Sequence, residues 1–120
     1  MKIGLIGCGA IGTELAKAVD RRIVDATLGI IYDKIESKSR SLASSLRKKP
    51  RIARKFEDVI NTDVDLVVEA ASQGAVREYA ERILKSGKDM MLMSVGALLD
   101  ETFYSKISAL ARKKSLRIYI

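Results

Sequence analysis

The sequence has no histidine, no tryptophan, one cysteine and one proline, and only 5% of its residues are aromatic. Without imidazole there is no Ser-His-Asp triad and no histidine general base, and a single thiol leaves no basis for a zinc finger. One cysteine cannot form an internal disulfide, so a reducing, cytoplasmic compartment is expected. One proline and eight glycines in 120 residues exclude a collagen-like or low-complexity chain, and 48% hydrophobic residues exclude a disordered one. No run reaches the roughly 18 apolar residues of a membrane span, so no membrane partner is expected. An export signal is not expected either. Only Ile3 to Gly7 separate Lys2 from Cys8, and a secretory signal needs roughly 7 to 15 apolar residues there. The length suits one domain, spanning residues 1–120, with a single core.

The formal net charge is +7, which favours an anionic partner without naming one. Between Lys34 and Lys55 stand nine basic residues and one acid, Glu36. A nucleic-acid surface would interleave aromatic or base-reading side chains with such a run. Only Phe56 lies beside it, so it reads as a solvated face and no nucleic-acid partner is expected.

The hydrophobic period alternates between strand and helix along the whole chain. Strands are expected at 2–6, 26–32, 51–53, 65–70, 89–93 and 116–120. Helices are expected at 10–22, 36–49, 56–60, 73–86 and from Asp100 to about Lys114. Ile11, Leu15, Ala18 and Val19 form the inward stripe of the first helix, and Leu42, Ala43 and Leu46 that of the second. In the fourth, Val76, Tyr79, Ala80, Ile83 and Leu84 face inward, Glu78/Arg82 and Glu81/Lys85 pair at i,i+4, and Gly87 follows the end. Strands alternating with helices in this way give an α/β fold, a Rossmann-type doubly wound parallel sheet of about six strands with helices on both faces. The chain stops on an apolar strand at Ile120, so further chain is expected beyond it.

Gly7-Cys8-Gly9-Ala10-Ile11-Gly12 matches G-x-G-x-x-G directly between the first strand and the first helix, the context in which that pattern holds a dinucleotide. Gly7 permits the tight turn, Gly9 lets the backbone approach a pyrophosphate, and Gly12 lets the helix lie close on the strand. Ala10 and Ile11 open the helix, whose N–H groups and positive dipole end attract phosphate. Cys8 reads as a small packing residue, although the dipole would lower its thiol pKa and make it oxidation-sensitive. Asp33 stands 21 residues after Gly12, where a carboxylate accepts hydrogen bonds from the adenosine ribose and favours NAD. Lys34, Lys38 and Arg40 follow and would hold the 2′-phosphate of NADP if Asp33 turned away. The cofactor is NAD or NADP.

In a doubly wound sheet the fourth strand lies beside the first, so its C-terminal end lines the same crevice. Ala70, Ala71 and Ser72 there are small enough for a nicotinamide and its ribose to lie against the backbone. Ser72 is equally suited to cap the next helix. Ser94 and Gly96, after the fifth strand, form a second small-residue turn near the nicotinamide. Glu69 needs a partner in so apolar a strand, and its sequence setting suits a structural or a functional role.

Gly4 to Gly12, Val68-Glu69-Ala70-Ala71-Ser72-Gln73 and Met93-Ser94-Val95-Gly96-Ala97-Leu98 together resemble the N-terminal half of the L-aspartate dehydrogenase family, over essentially all 120 residues. Sugar-type oxidoreductases of similar topology usually carry Glu-Lys-Pro after the fifth strand, and this chain does not. The resemblance implies an NAD(P)-binding domain whose family oxidatively deaminates L-aspartate through iminoaspartate to oxaloacetate and ammonia, with iminoaspartate a feed for NAD biosynthesis. It also implies a second, histidine-bearing domain that completes the amino-acid site and the oligomer interface. That domain is not in this sequence, and no catalytic residue is assigned here; the 120 residues alone are expected to bind cofactor without turning over aspartate, and to form a homodimer. Two other readings stay open: a non-catalytic NAD(P)-binding or redox-sensing module, and the cofactor domain of a homoserine-dehydrogenase-like or dihydrodipicolinate-reductase-like enzyme.

Overall fold

The computed structural model describes residues 1–120. Six strands form one sheet, β1 (Lys2–Ile6), β2 (Thr27–Tyr32), β3 (Arg51–Ile52), β4 (Leu66–Glu69), β5 (Asp89–Leu92) and β6 (Ile118–Tyr119). Their order is β3-β2-β1-β4-β5-β6 and every pairing is parallel, which is the doubly wound arrangement with its switch point between β1 and β4. The helices are α1 (Ala10–Asp20), α2 (Glu36–Ser45), α3 (Phe56–Ile60), α4 (Gln73–Lys85) and α5 (Glu101–Lys113), with a 3-10 turn at Val95–Leu99.

Alternation along the central strands divides the core in two. Ile3, Leu5, Leu66 and Val68 pack under α1 and α2 with Ala16, Val19, Leu42 and Leu46. Ile6, Val67, Met90 and Leu92 pack on the other face with α3, α4 and α5. All four residues of β4 are buried, as a strand covered on both sides requires. The inward face of α4 is the expected one, and Gly87 follows it with φ +85°.

Three local expectations are corrected. Ile11 is 60% exposed, because Gly12, Ala16 and Val19 form the face by which α1 meets the sheet. Glu78 pairs with Lys34 across to the end of β2, while Arg82 reaches Glu57, so only the Glu81–Lys85 pair of α4 forms within the helix. Helix α2 ends at Ser45 rather than Lys49: the hydroxyls of Ser44 and Ser45 turn back onto the carbonyls of Ser41 and Leu42, and Lys49 Nζ donates to the carbonyls of Ser44 and Leu46. Leu46 then leaves the helix in an extended conformation and is buried. No helix is long and apolar enough to cross a membrane.

Candidate cofactor-binding site

The glycine turn occupies the C-terminal rim of the sheet between β1 and α1. Gly7 turns the chain with φ +101°, and a Cβ there would lie 2.6 Å from the carbonyl oxygen of Ala70. A Cβ on Gly12 would overlap the carbonyl oxygen of Gly7, so the close approach of α1 to the strand depends on its absence. Gly9 differs, since a Cβ there would meet nothing within 4 Å. No side chain caps α1, no acid stands in its first turn, and the N–H groups of Gly9, Ala10, Ile11 and Gly12 donate to no other group of the chain. These residues fit a pyrophosphate: open space above Gly9, donors facing it, and the positive end of an eleven-residue helix behind.

Asp33 is built into this turn. Its Oδ2 accepts from the Cys8 N–H at 2.9 Å and its Oδ1 from the Ile35 N–H at 2.8 Å. The carboxylate therefore does not turn away. Cys8 is buried, with its thiol directed at the Tyr32 carbonyl at 3.8 Å. Burial, with the Asp33 charge adding to it, pushes this thiol up to about 12. Cys8 is thus the packing residue its sequence setting suggests, and the oxidation sensitivity expected of a lowered thiol pKa is overturned, because burial holds the thiol protonated through the neutral range.

The cations expected at the 2′-phosphate position are dispersed. Lys34 pairs with Glu78 at 3.4 Å and Arg40 with Glu36 at 3.3 Å. Lys38 alone lines a cavity of about 410 Å³ between α1 and α2, which also borders Gly9, Thr13, Ser37 and Ser41. Lys17 lines it too. Its position one turn beyond Thr13 on α1 places it there, a relation present in the helical spacing of the sequence.

Across the switch point, β4 and β5 end in two small-residue turns. Ser72 Oγ accepts from the Ala75 N–H at 3.0 Å, so this residue does cap α4. Ala71 and Ser72 are exposed on the crevice rim, and Gly96 sits against the side-chain amide of Gln73, which would have to swing aside to admit a Cβ. Glu69 is 1% exposed. Its Oε2 accepts from Ala71 N–H at 2.8 Å and Ser94 Oγ at 2.7 Å, and its Oε1 from Ser94 N–H at 2.9 Å and Met93 N–H at 3.2 Å. The residue that fixes both turns is thus one to which the sequence assigned no definite role.

The model of the homoserine dehydrogenase NAD-binding domain matches residues 7–120, from the first glycine of the turn to the last strand. The chain belongs to that family. This NAD-binding domain is 41% identical over 119 residues to the L-aspartate dehydrogenase of Nitrosopumilus maritimus and 43% identical over 119 residues to that of Methanosarcina mazei. Each alignment takes in 99% of this chain and 44% of the relative, so the chain spans less than half the length of these curated relatives. Among solved structures, GenD2 from gentamicin A biosynthesis, in complex with NAD, superposes on 99% of this chain and 33% of its own with a TM-score of 0.84 at 16% identity, a likeness of fold. Nicotinamide dinucleotide binding is thereby the activity of the domain.

Proposed function

We propose that this is the cofactor-binding domain of an L-aspartate-dehydrogenase-like oxidoreductase, using NAD or NADP. The observation that carries the site assignment is the glycine turn with four unengaged N–H groups, anchored from beneath by Asp33. Gly7, Gly9, Ala10, Ile11 and Gly12 hold the pyrophosphate and Asp33 the adenosine ribose, with Lys34 at its edge. Ala70, Ala71, Ser72, Ser94 and Gly96 bound the nicotinamide end. Lys38 and Lys17 give a 2′-phosphate a place beside Gly9, which supports use of NADP as well. The likeness to L-aspartate dehydrogenases over the whole chain supports L-aspartate as the amino-acid substrate. When bound, the cofactor supplies the nicotinamide C4 that takes hydride from the substrate Cα. That the chain spans 44% of these L-aspartate dehydrogenases supports an amino-acid site completed by a second domain, with the 120 residues alone binding cofactor without turnover.

Calorimetric titration tests the site. The chain is expected to bind NADH one to one, with Asp33→Ala weakening it by about tenfold or more through loss of charge-assisted bonds to the ribose. NADH affinity untouched by that substitution would overturn the assignment of Asp33.

The same reading includes a cytoplasmic setting, no nucleic-acid or membrane partner, and a homodimer. The dimer is supported by the apolar surface beside α5, where Leu99 is 86% exposed next to a cavity of about 300 Å³ lined by Leu98, Tyr104 and Ile107. Light scattering at high concentration is expected to give twice the chain mass. A monomer there would remove the dimer from the proposal.

A further inference from the structure

At the N-terminal ends of β1 and β2, opposite the glycine turn, lies a cavity of about 680 Å³, larger than the one beside Gly9. Its frame is the loop after α1 and the segment that follows α2. Asp20 joins the two: its carboxylate, 10% exposed, accepts from the N–H groups of Arg47 and Lys48 at 3.1 Å each, and Arg47 Nε pairs with it at 3.4 Å. The charges of Asp20 and Arg47 thereby cancel within the frame. Arg21, Arg22 and Lys48 also line the cavity and enter none of the ion pairs of the chain, and the one acid left to oppose them is Asp25. Three cations against one acid leave the wall with two positive charges in excess. The floor is apolar, formed by Val19, Leu28 and Leu46.

The loop after α1 closes with the Ile23 N–H on the Ala18 carbonyl at 2.9 Å and the Arg22 N–H on the Val19 carbonyl at 3.1 Å, a helix ending whose left-handed residue is usually glycine. Here that residue is Arg22, at φ +59°, whereas α4 is followed by Gly87 at φ +85°. Backbone preference does not account for an arginine in this position. Its charge at the cavity gives it a use. We propose that this cavity binds a small organic phosphate, a phosphate monoester with an apolar body. At neutral pH such a group carries about two negative charges and three acceptor oxygens. These match the excess charge and the three unpaired cations, and the planar fork of arginine suits phosphate oxygens. The floor takes the apolar part of the molecule. The site lies at the other end of the strands from the N–H groups of the glycine turn, so a ligand there leaves the cofactor crevice open.

Titration with 1-naphthyl phosphate, followed through the backbone amide spectrum of the chain, tests this, with inorganic phosphate and 1-naphthol as its separate halves. The ester is expected to saturate with shifts at Arg22, Thr27, Arg47 and Lys48, and to bind about tenfold more tightly than either half. Arg22→Gly, which suits the backbone at φ +59°, is expected to unfold no earlier than the wild type and to weaken the ester about tenfold. Lys113→Ala, which removes an exposed charge on α5 outside the cavity, leaves the affinity unchanged. Absence of saturable binding overturns the proposal, as does inorganic phosphate or 1-naphthol bound as tightly as the ester. Shifts confined to Gly9, Thr13 and Lys38 would assign the ester to the cavity beside the glycine turn and overturn it equally. An affinity that survives Arg22→Gly, or falls as far in Lys113→Ala, overturns it as well.

Discussion

Gly7→Ala is expected to destabilise the chain by about 3 kcal/mol and to abolish NADH binding. Two effects combine. At φ +101° an L side chain is strained, and the new Cβ would stand 2.6 Å from the Ala70 carbonyl oxygen and 2.9 Å from the Ala71 nitrogen, both backbone atoms that cannot swing aside. Relief requires β1 and β4 to separate at the switch point, while on the other side of β1 the Gly7 N–H bonds the Tyr32 carbonyl at the end of β2 at 2.8 Å. Thermal unfolding would show the change as a fall of roughly 10 to 20 °C. A loss below about 0.5 kcal/mol, the usual range of a surface substitution, would mean that the turn is looser than its geometry shows. Gly9→Ala serves as the contrast, since its Cβ meets no protein atom. It is expected to leave unfolding unchanged while interfering with the pyrophosphate.

Glu69→Ala is expected to cost a further large amount, about 3 kcal/mol, by a different mechanism. The substitution withdraws the acceptor from the N–H groups of Ala71 and Ser94, whereas Met93 N–H keeps a second acceptor in the Glu69 backbone carbonyl at 3.1 Å. It also empties a space that was 1% exposed. Glu69→Gln should be milder, about 2 kcal/mol, because it keeps the volume and its amide oxygen still serves Met93 and Ser94, although its NH2, which can donate to Ser94 Oγ, stands against the Ala71 N–H and leaves that donor unpaired. Denaturant titration of the two variants reads the difference directly. Equal destabilisation would show that charge rather than volume holds the two turns together.

The parts of this architecture that were legible in the sequence are those dictated by local pattern. The glycine spacing places the turn, the both-sided apolar run of β4 puts it in the sheet interior, and the stripe of α4 from Val76 to Leu84 chooses its inward face. Asp33 was legible for a similar reason, because its distance from Gly12 follows from the length of one βαβ unit. What the sequence does not carry is the choice among partners brought together by register. Glu78 has Arg82 one turn away and takes Lys34 from another element instead. Arg40 is neutralised by Glu36 and Lys34 by Glu78, leaving Lys38 and Lys17 to face the cavity beside Gly9. Cys8 was legible as a packing residue, but not the direction of its thiol pKa, because the burial that raises it comes from residues far along the chain that the core brings around it.

On the proposed assignment of Asp33 to the adenosine ribose, its two backbone bonds have a kinetic consequence. A carboxylate offers about four lone-pair sites, and Cys8 and Ile35 use one on each oxygen. The remaining sites are oriented before any ribose arrives, and its hydroxyls displace neither N–H. Capture then needs no rearrangement of the turn, so encounter proceeds at the pace of orientation-limited diffusion, and variants around Asp33 differ in how long the nucleotide stays rather than in how fast it enters.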